Sequence, residues 1–334
     1  MILIKIITFG SCLLAAHVLS ADGARQSYNA GRFAFVLDGE NMGFVKSVKG
    51  GIIKGEVAAH QSDPSNPQKK HIATITHEDI TLEVGMDMGR GLHEWIQESI
   101  YTGHVTKSGE IISADFDGKA QRVMEFYDAH ITEVTLPVLD DSSKDPAYLM
   151  VKIEPERLRH EKELVSHEFS LGERDSEISN KWLTSNFRFK MGDLPTSRVS
   201  KINAFTIKQT VVEDDIGTAQ EPTKQPGKLE IPNLTVYICL SDTEIDPWLD
   251  WYRSSIINGK TAIPNELEGS IVFLGLDTDK GKELARIELE LEHVRVVSLE
   301  LTKQEGNEED VSRLKVEMYV EEVKFNIDSS HVDS

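Results

Sequence analysis

The chain has 334 residues, 39% of them hydrophobic and 28% charged, with a formal net charge of −20 at pH 7. That length exceeds a typical single domain and suits two, and the balance of apolar and charged side chains excludes a disordered polymer. With 56 acidic against 36 basic residues, the charge argues against a surface that grips a phosphate backbone or an anionic membrane, though not against one past which a polyanion slides without sticking.

The first residues, MILIKIITFGSCLLAAHVLSADGA, place one Lys before a long apolar run that ends on small side chains at Ser20 and Ala21. This pattern predicts a signal peptide over residues 1–21 and an exported, periplasmic or extracellular protein; an uncleaved anchor is the alternative. Cleavage leaves Cys239 as the one cysteine, so stability is expected from packing rather than a disulfide.

Phe33, Phe35 and Leu37 then alternate as on a strand, and Asp38-Gly39 is a turn signal. The next arm, Val45 to Val57, contains Gly50, Gly51 and Gly55, which predict a bend or bulge. His60 to Lys70 reads as a loop long enough to act as a functional arm. Ile80, Leu82 and Val84 mark a strand, while Leu92, Trp95, Ile96 and Ile100 repeat at helical spacing. A strand pair is expected from Glu110 to Asp117 and Arg122 to Val138, and Ala147 to Glu154 closes the unit.

A second unit replays this order. Phe33–Val57 aligns without a gap on Phe187–Val211 at one offset, 187 − 33 = 154, pairing Phe35 with Phe189, Val45 with Val199 and Ile53 with Ile207. Leu234 to Leu240 is the next strand, Asp246-Pro247 opens a helix carrying Trp248 and Trp251, and Ile287, Leu289 and Leu291 alternate with Glu288, Glu290 and Glu292. The alternation slips at His293, as it does near His130, which predicts a bulge shared by the two units with the histidines equivalent, 293 − 130 = 163. Leu314 to Asn326 is read as the closing strand. The expected division is a first domain over 30–159, a charged linker over 160–181 and a second domain over 182–328.

No motif announces chemistry. His160-Glu161 and His167-Glu168 lack zinc-protease spacing, Asp115, Asp117 and Gly118 with Asp277 and Asp279 lack the remaining ligands of a calcium loop, and His130 and His293 have no clustered partners. Trp95 and Trp251 could stack sugars but sit at the spacing of core residues. No nucleophile elbow, phosphate loop or dinucleotide glycine pattern is present, so no catalytic, cofactor or metal residue is assigned and none of these ligands is expected. A hydrolase with dispersed carboxylates remains an alternative, since paired acids leave no local signature.

The first unit resembles the tail-tube proteins of contractile phage tails and contractile injection systems. The resemblance is carried by Phe33 to Gly39, Gly43 to Gly50, Ile80 to Val84, Leu92 to Ile96 with Gly103, Asp117-Gly118 and Phe126 to Ala129. It implies a mainly β fold, with two tandem β-sandwich or barrel domains that each carry one flanking helix. It further implies self-association, with three two-domain copies forming a six-domain, pseudo-hexameric ring, and possible baseplate or sheath-like partners. A tube-capping hub or adaptor, or an exported β-sandwich binding protein, are the alternatives.

Overall fold

A computed structural model describes residues 32–60, 69–86, 88–103, 105–115, 120–161, 182–214, 223–239, 245–257, 266–276, 283–302 and 313–327. The predicted signal segment, the 162–181 part of the linker, and Asp117, Gly118, His167, Glu168, Asp277 and Asp279 lie outside them.

The first half runs β1 (Arg32–Leu37), β2 (Glu40–Gly50), β3 (Ile53–His60), β4 (Lys69–His77), β5 (Ile80–Gly85), α1 (Arg90–Thr102), β6 (Lys107–Ala114), β7 (Ala120–Leu136), β8 (Leu139–Asp140), β9 (Tyr148–Glu154) and β10 (Arg157–Glu161). Asp38 and Gly39, at φ 49° and 87°, make the tight turn that joins β1 to β2. Strands β7, β6, β1, β2, β5 and β9 pair in that order, and β7 pairs again with β9, so the sheet closes on itself. Inside lie Phe35 and Phe126, stacked at 5.8 Å. Across one end lies α1, which buries Leu92, Trp95 and Ile96 and stops where Gly103, at φ 70°, returns its N–H to the Ser99 carbonyl.

The second half runs β11 (Phe187–Met191), β12 (Val199–Ile202), β13 (Phe205–Asp214), β14 (Thr223–Glu230), β15 (Leu234–Cys239), α2 (Ile245–Tyr252), β16 (Leu267–Leu276), β17 (Glu283–Thr302), β18 (Arg313–Tyr319) and β19 (Glu322–Ile327). A five-residue π turn, Arg253–Ile257, continues α2. Strands β11, β16, β17, β18, β15 and β12 follow one another in a second barrel-like sheet, with β19 on β17. The fold is therefore mainly β, two barrel-like sheets with one helix each.

The repeat holds at the level of register. Phe33 faces Ser113 and Phe187 faces Phe273; Val48 faces Leu82 and Ile202 faces Val236. Along β7 and β17 the offset is 165 rather than 163. Ile131 faces Ile153 and the strand then slips, as Val296 faces Met318 and then slips. Asp128 and His293 share a left-handed backbone, φ 49° and 54°, at 293 − 128 = 165. The pairing of His130 with His293 is thus corrected: His293 corresponds to Asp128, and His130 to Arg295. The slip was visible in the pattern, but two histidines near it suggested the wrong phase. Leu314 to Asn326 is also not one strand, because the chain turns after Tyr319 and re-enters the sheet as β19 on another part of β17.

Candidate assembly interface

Of the segment read as a loop from His60 to Lys70, residues 61–68 lie outside the described ones, while His60 and Lys69–Lys70 are strand, ending β3 and opening β4. Among the described residues, strands β3 and β4 pair only with each other, as a hairpin, and they leave the barrel past Gly50 and Gly51 at φ 85° and 75°. At Gly50 a side chain is impossible, since a Cβ there would stand 2.0 Å from the Asp79 carbonyl oxygen. The root is tied down by the His160 Nε2–H, which donates to the Gly51 carbonyl at 2.9 Å.

Its counterpart in the second half, β13 with β14, does not stay with its own barrel. Instead β13 pairs with the end of β7, with Phe205 facing Leu136, Ile207 facing Val134 and Lys208 facing Glu133. Phe205 and Ile207 are buried there, Thr206 and Thr135 hydroxyls meet at 3.0 Å, and the Gln209 amide donates to the Gly103 carbonyl at 3.3 Å. Farther along, Lys224 is anchored on the first half. Its side chain is 7% exposed, with the ammonium 2.8 Å from Glu154 and donating to the Pro155 carbonyl at 3.2 Å; its backbone N–H donates to Glu156, and its carbonyl accepts from His130 Nε2–H at 3.2 Å. Reciprocally, β8 from the first half pairs with β12, and α1 lies against β19. The contact is heterologous, because a hairpin on one unit meets a strand edge on the other.

The same two kinds of surface are left over at the far ends. Ile52, Ile53, Val57 and Ile72 of the β3–β4 arm are exposed, as are Val297 and Leu301 on β17. From Arg295 to Thr302, β17 is paired with β18 on one side only among the described residues.

The residues weighed for chemistry are dispersed. His130 is a buried structural residue of the inter-unit contact. His293 is exposed and bonds Glu266 at 3.0 Å, which holds its pKa above the ordinary histidine value. His160 braces the arm, Glu161 pairs with Arg159 at 2.6 Å, and Asp115 accepts from Gln121 at 2.8 Å. Among the described residues, no three His, Cys, Asp or Glu side chains gather as metal ligands. Trp95 and Trp251 are core residues; the Trp95 indole N–H reaches the Val105 carbonyl at 3.2 Å and that of Trp248 the Pro195 carbonyl at 3.0 Å. Sequence reasoning missed Lys224, Glu154 and Glu156. The only trace of them was that the repeat extends through the hairpin, which says nothing about which barrel the hairpin joins. No helix of the described residues is long and apolar enough to cross a membrane.

No curated protein matches the chain. Among solved structures, a chain of the anti-feeding prophage baseplate is similar at 11% identity and a TM-score of 0.34, covering 42% of this chain and 92% of that one. A chain of the sheath-tube complex of the PVC extracellular contractile injection system is similar at 14% identity and a TM-score of 0.32, covering 42% and 89%. The Hcp1 protein of E. coli EAEC 042 is similar at 13% identity and a TM-score of 0.27, covering 43% and 92%. Residues 29–159 match the family model described as T4-like virus tail tube protein gp19.

Proposed function

We propose that the protein is a structural, self-assembling subunit of the tail-tube kind, whose role is to meet further copies of itself rather than to catalyse a reaction. One observation carries this reading: the two units are joined by a hairpin-to-edge contact that is not self-complementary, so each chain retains one unused hairpin and one unused edge. A heterologous contact of this type propagates from copy to copy, into a ring where its rotation closes and into a filament where it does not. Unblunted strand edges favour such pairing. Two units per chain satisfy a six-domain ring with three copies, and stacking of such rings makes a tube with possible sheath-like or baseplate partners. The full chain is expected to show by light scattering the mass of three copies, and to give rings in negative-stain images. A chain that stays monomeric at high concentration overturns the proposal. Export of this assembly, read from the apolar residues 1–21, is part of the same proposal, and N-terminal sequencing of the mature protein, expected to begin near Asp22, tests it.

A further inference from the structure

The two hairpins are the same object in two environments. In β3–β4, Lys54 faces Thr76, Gly55 faces Ile75, and after a register slip Val57 faces Ile72. In β13–β14, Lys208 faces Glu230, Gln209 faces Leu229, and after a slip Val211 faces Pro226. Every one of these positions maps at 208 − 54 = 154, and both hairpins slip at the same place. Their surroundings differ: Ile207 is 2% exposed, Ile53 41%.

The acceptor edges correspond equally well. At the offset of 165 fixed by the shared slip, Glu133, Val134, Thr135 and Leu136 of β7 become Ser298, Leu299, Glu300 and Leu301 of β17. Leu136, covered by the hairpin, is 2% exposed; Leu301, with no hairpin over it among the described residues, is 58% exposed. The polar anchor is repeated too. Lys224 corresponds to Lys70, and Glu156 to Glu321, both exposed in the single chain. Glu154 is replaced by Tyr319, so Glu321 is the carboxylate that the contact offers Lys70.

We infer that the β3–β4 hairpin of one chain pairs with β17 of a second copy, Ile53 opposite Leu299 and Lys70 beside Glu321, repeating between chains the contact that β13–β14 makes within one. The occupant of each free surface is thereby a second copy of this protein, and the inference rests on the self-assembly proposed above. Burial of Ile53 and Leu301 removes apolar surface from water, and the extra strand satisfies the unpaired backbone groups of β17. Under α2 the same operation seats β10 of the next copy, since within the chain α1 lies against β19 and β10 is the first-half strand with the place of β19.

The experiment uses the full chain with Cys12 and Cys239 changed to Ser and the pair Ile53→Cys, Leu299→Cys. Directly opposed residues of an antiparallel pair lie about 4.5–5.5 Å apart at Cα, within disulfide reach. Under mild oxidation, chains linked to one another are expected on a non-reducing gel, and not with the exposed control pair Ile53→Cys, Met150→Cys. In parallel, Lys70→Glu is expected to weaken assembly about tenfold, and Glu321→Lys added to the same chain to restore it. If the wild-type chain forms rings but the cross-link does not exceed the control and Lys70→Glu assembles normally, this contact is wrong and self-assembly stands. If the wild-type chain remains monomeric, both fall.

Discussion

Gly109 and Gly269 show what a single residue contributes to this fold. They are equivalent, 269 − 109 = 160, and each sits at a register slip in its strand. A Cβ on Gly109 would stand 2.2 Å from the Val36 carbonyl oxygen, and one on Gly269 2.6 Å from that of Lys190. Those two carbonyls are themselves equivalent, 190 − 36 = 154, so both barrels use the same absent side chain to bring two strands together. Gly109→Ala is expected to cost on the order of 2 kcal/mol or more, read by urea unfolding, because backbone rather than a flexible side chain must move. His93 offers a pH test. It is 2% exposed, neither ring nitrogen has a hydrogen-bond partner among the described residues, and burial pushes its pKa down to about 4. Against the ordinary value near 6.5, its neutral form stabilises the fold fully above pH 6.5. That contribution is lost as pH falls toward 4, by about 3 kcal/mol at the end. His93→Leu is expected to remove this slope from unfolding measured at pH 7, 5.5 and 4.5, and to leave the protein no less stable at pH 7, since it deletes two unpaired buried nitrogens.

At the scale of elements, β1, β2, β5, β7, β15, both helices and the 154 offset of Phe33–Val57 on Phe187–Val211 were legible in the sequence, because alternation survives where one face is buried, whereas β4, β8, β14 and β16 and the hairpins they complete were not read. What could not be read was the partner of each strand. Val211 and Val57 occupy the same place in two hairpins of identical register, and only three-dimensional context makes one hairpin part of a neighbouring sheet and leaves the other bare. Strand β10 was hidden for a related reason, since Arg157–Glu161 carries a single buried apolar residue, Leu158. The two hairpins predict an internal contrast. Lys224→Ala removes a largely buried ion pair with Glu154 and is expected to destabilise the unassembled chain by about 3 kcal/mol. Lys70→Ala, at the same place in the exposed hairpin, is expected to change it by less than about 0.5 kcal/mol. Denaturant unfolding of the two variants, below the concentration at which the chain associates, makes the comparison directly.

For the whole molecule, the charge of −20 sets conditions on the proposed assembly, because each added copy must approach others of the same sign. The screening length falls from about 30 Å at 0.01 M salt to about 8 Å at 0.15 M, so long-range repulsion fades while strand pairing, which is short-ranged, persists. Association is therefore expected to be stronger at 0.15 M than at 0.01 M salt, a shift that sedimentation at the two ionic strengths would show; the opposite trend would mean that attraction between unlike charges dominates the contact. The hairpin that crosses from one half to the other has a further consequence. In the proposed ring, half of the joints are made when the polypeptide is synthesised and do not dissolve on dilution, so the smallest fragment is a covalent pair and only the remaining joints sense concentration. The same proposal restricts arithmetic: it admits only rings with an even number of barrels, whatever curvature the joints would otherwise tolerate.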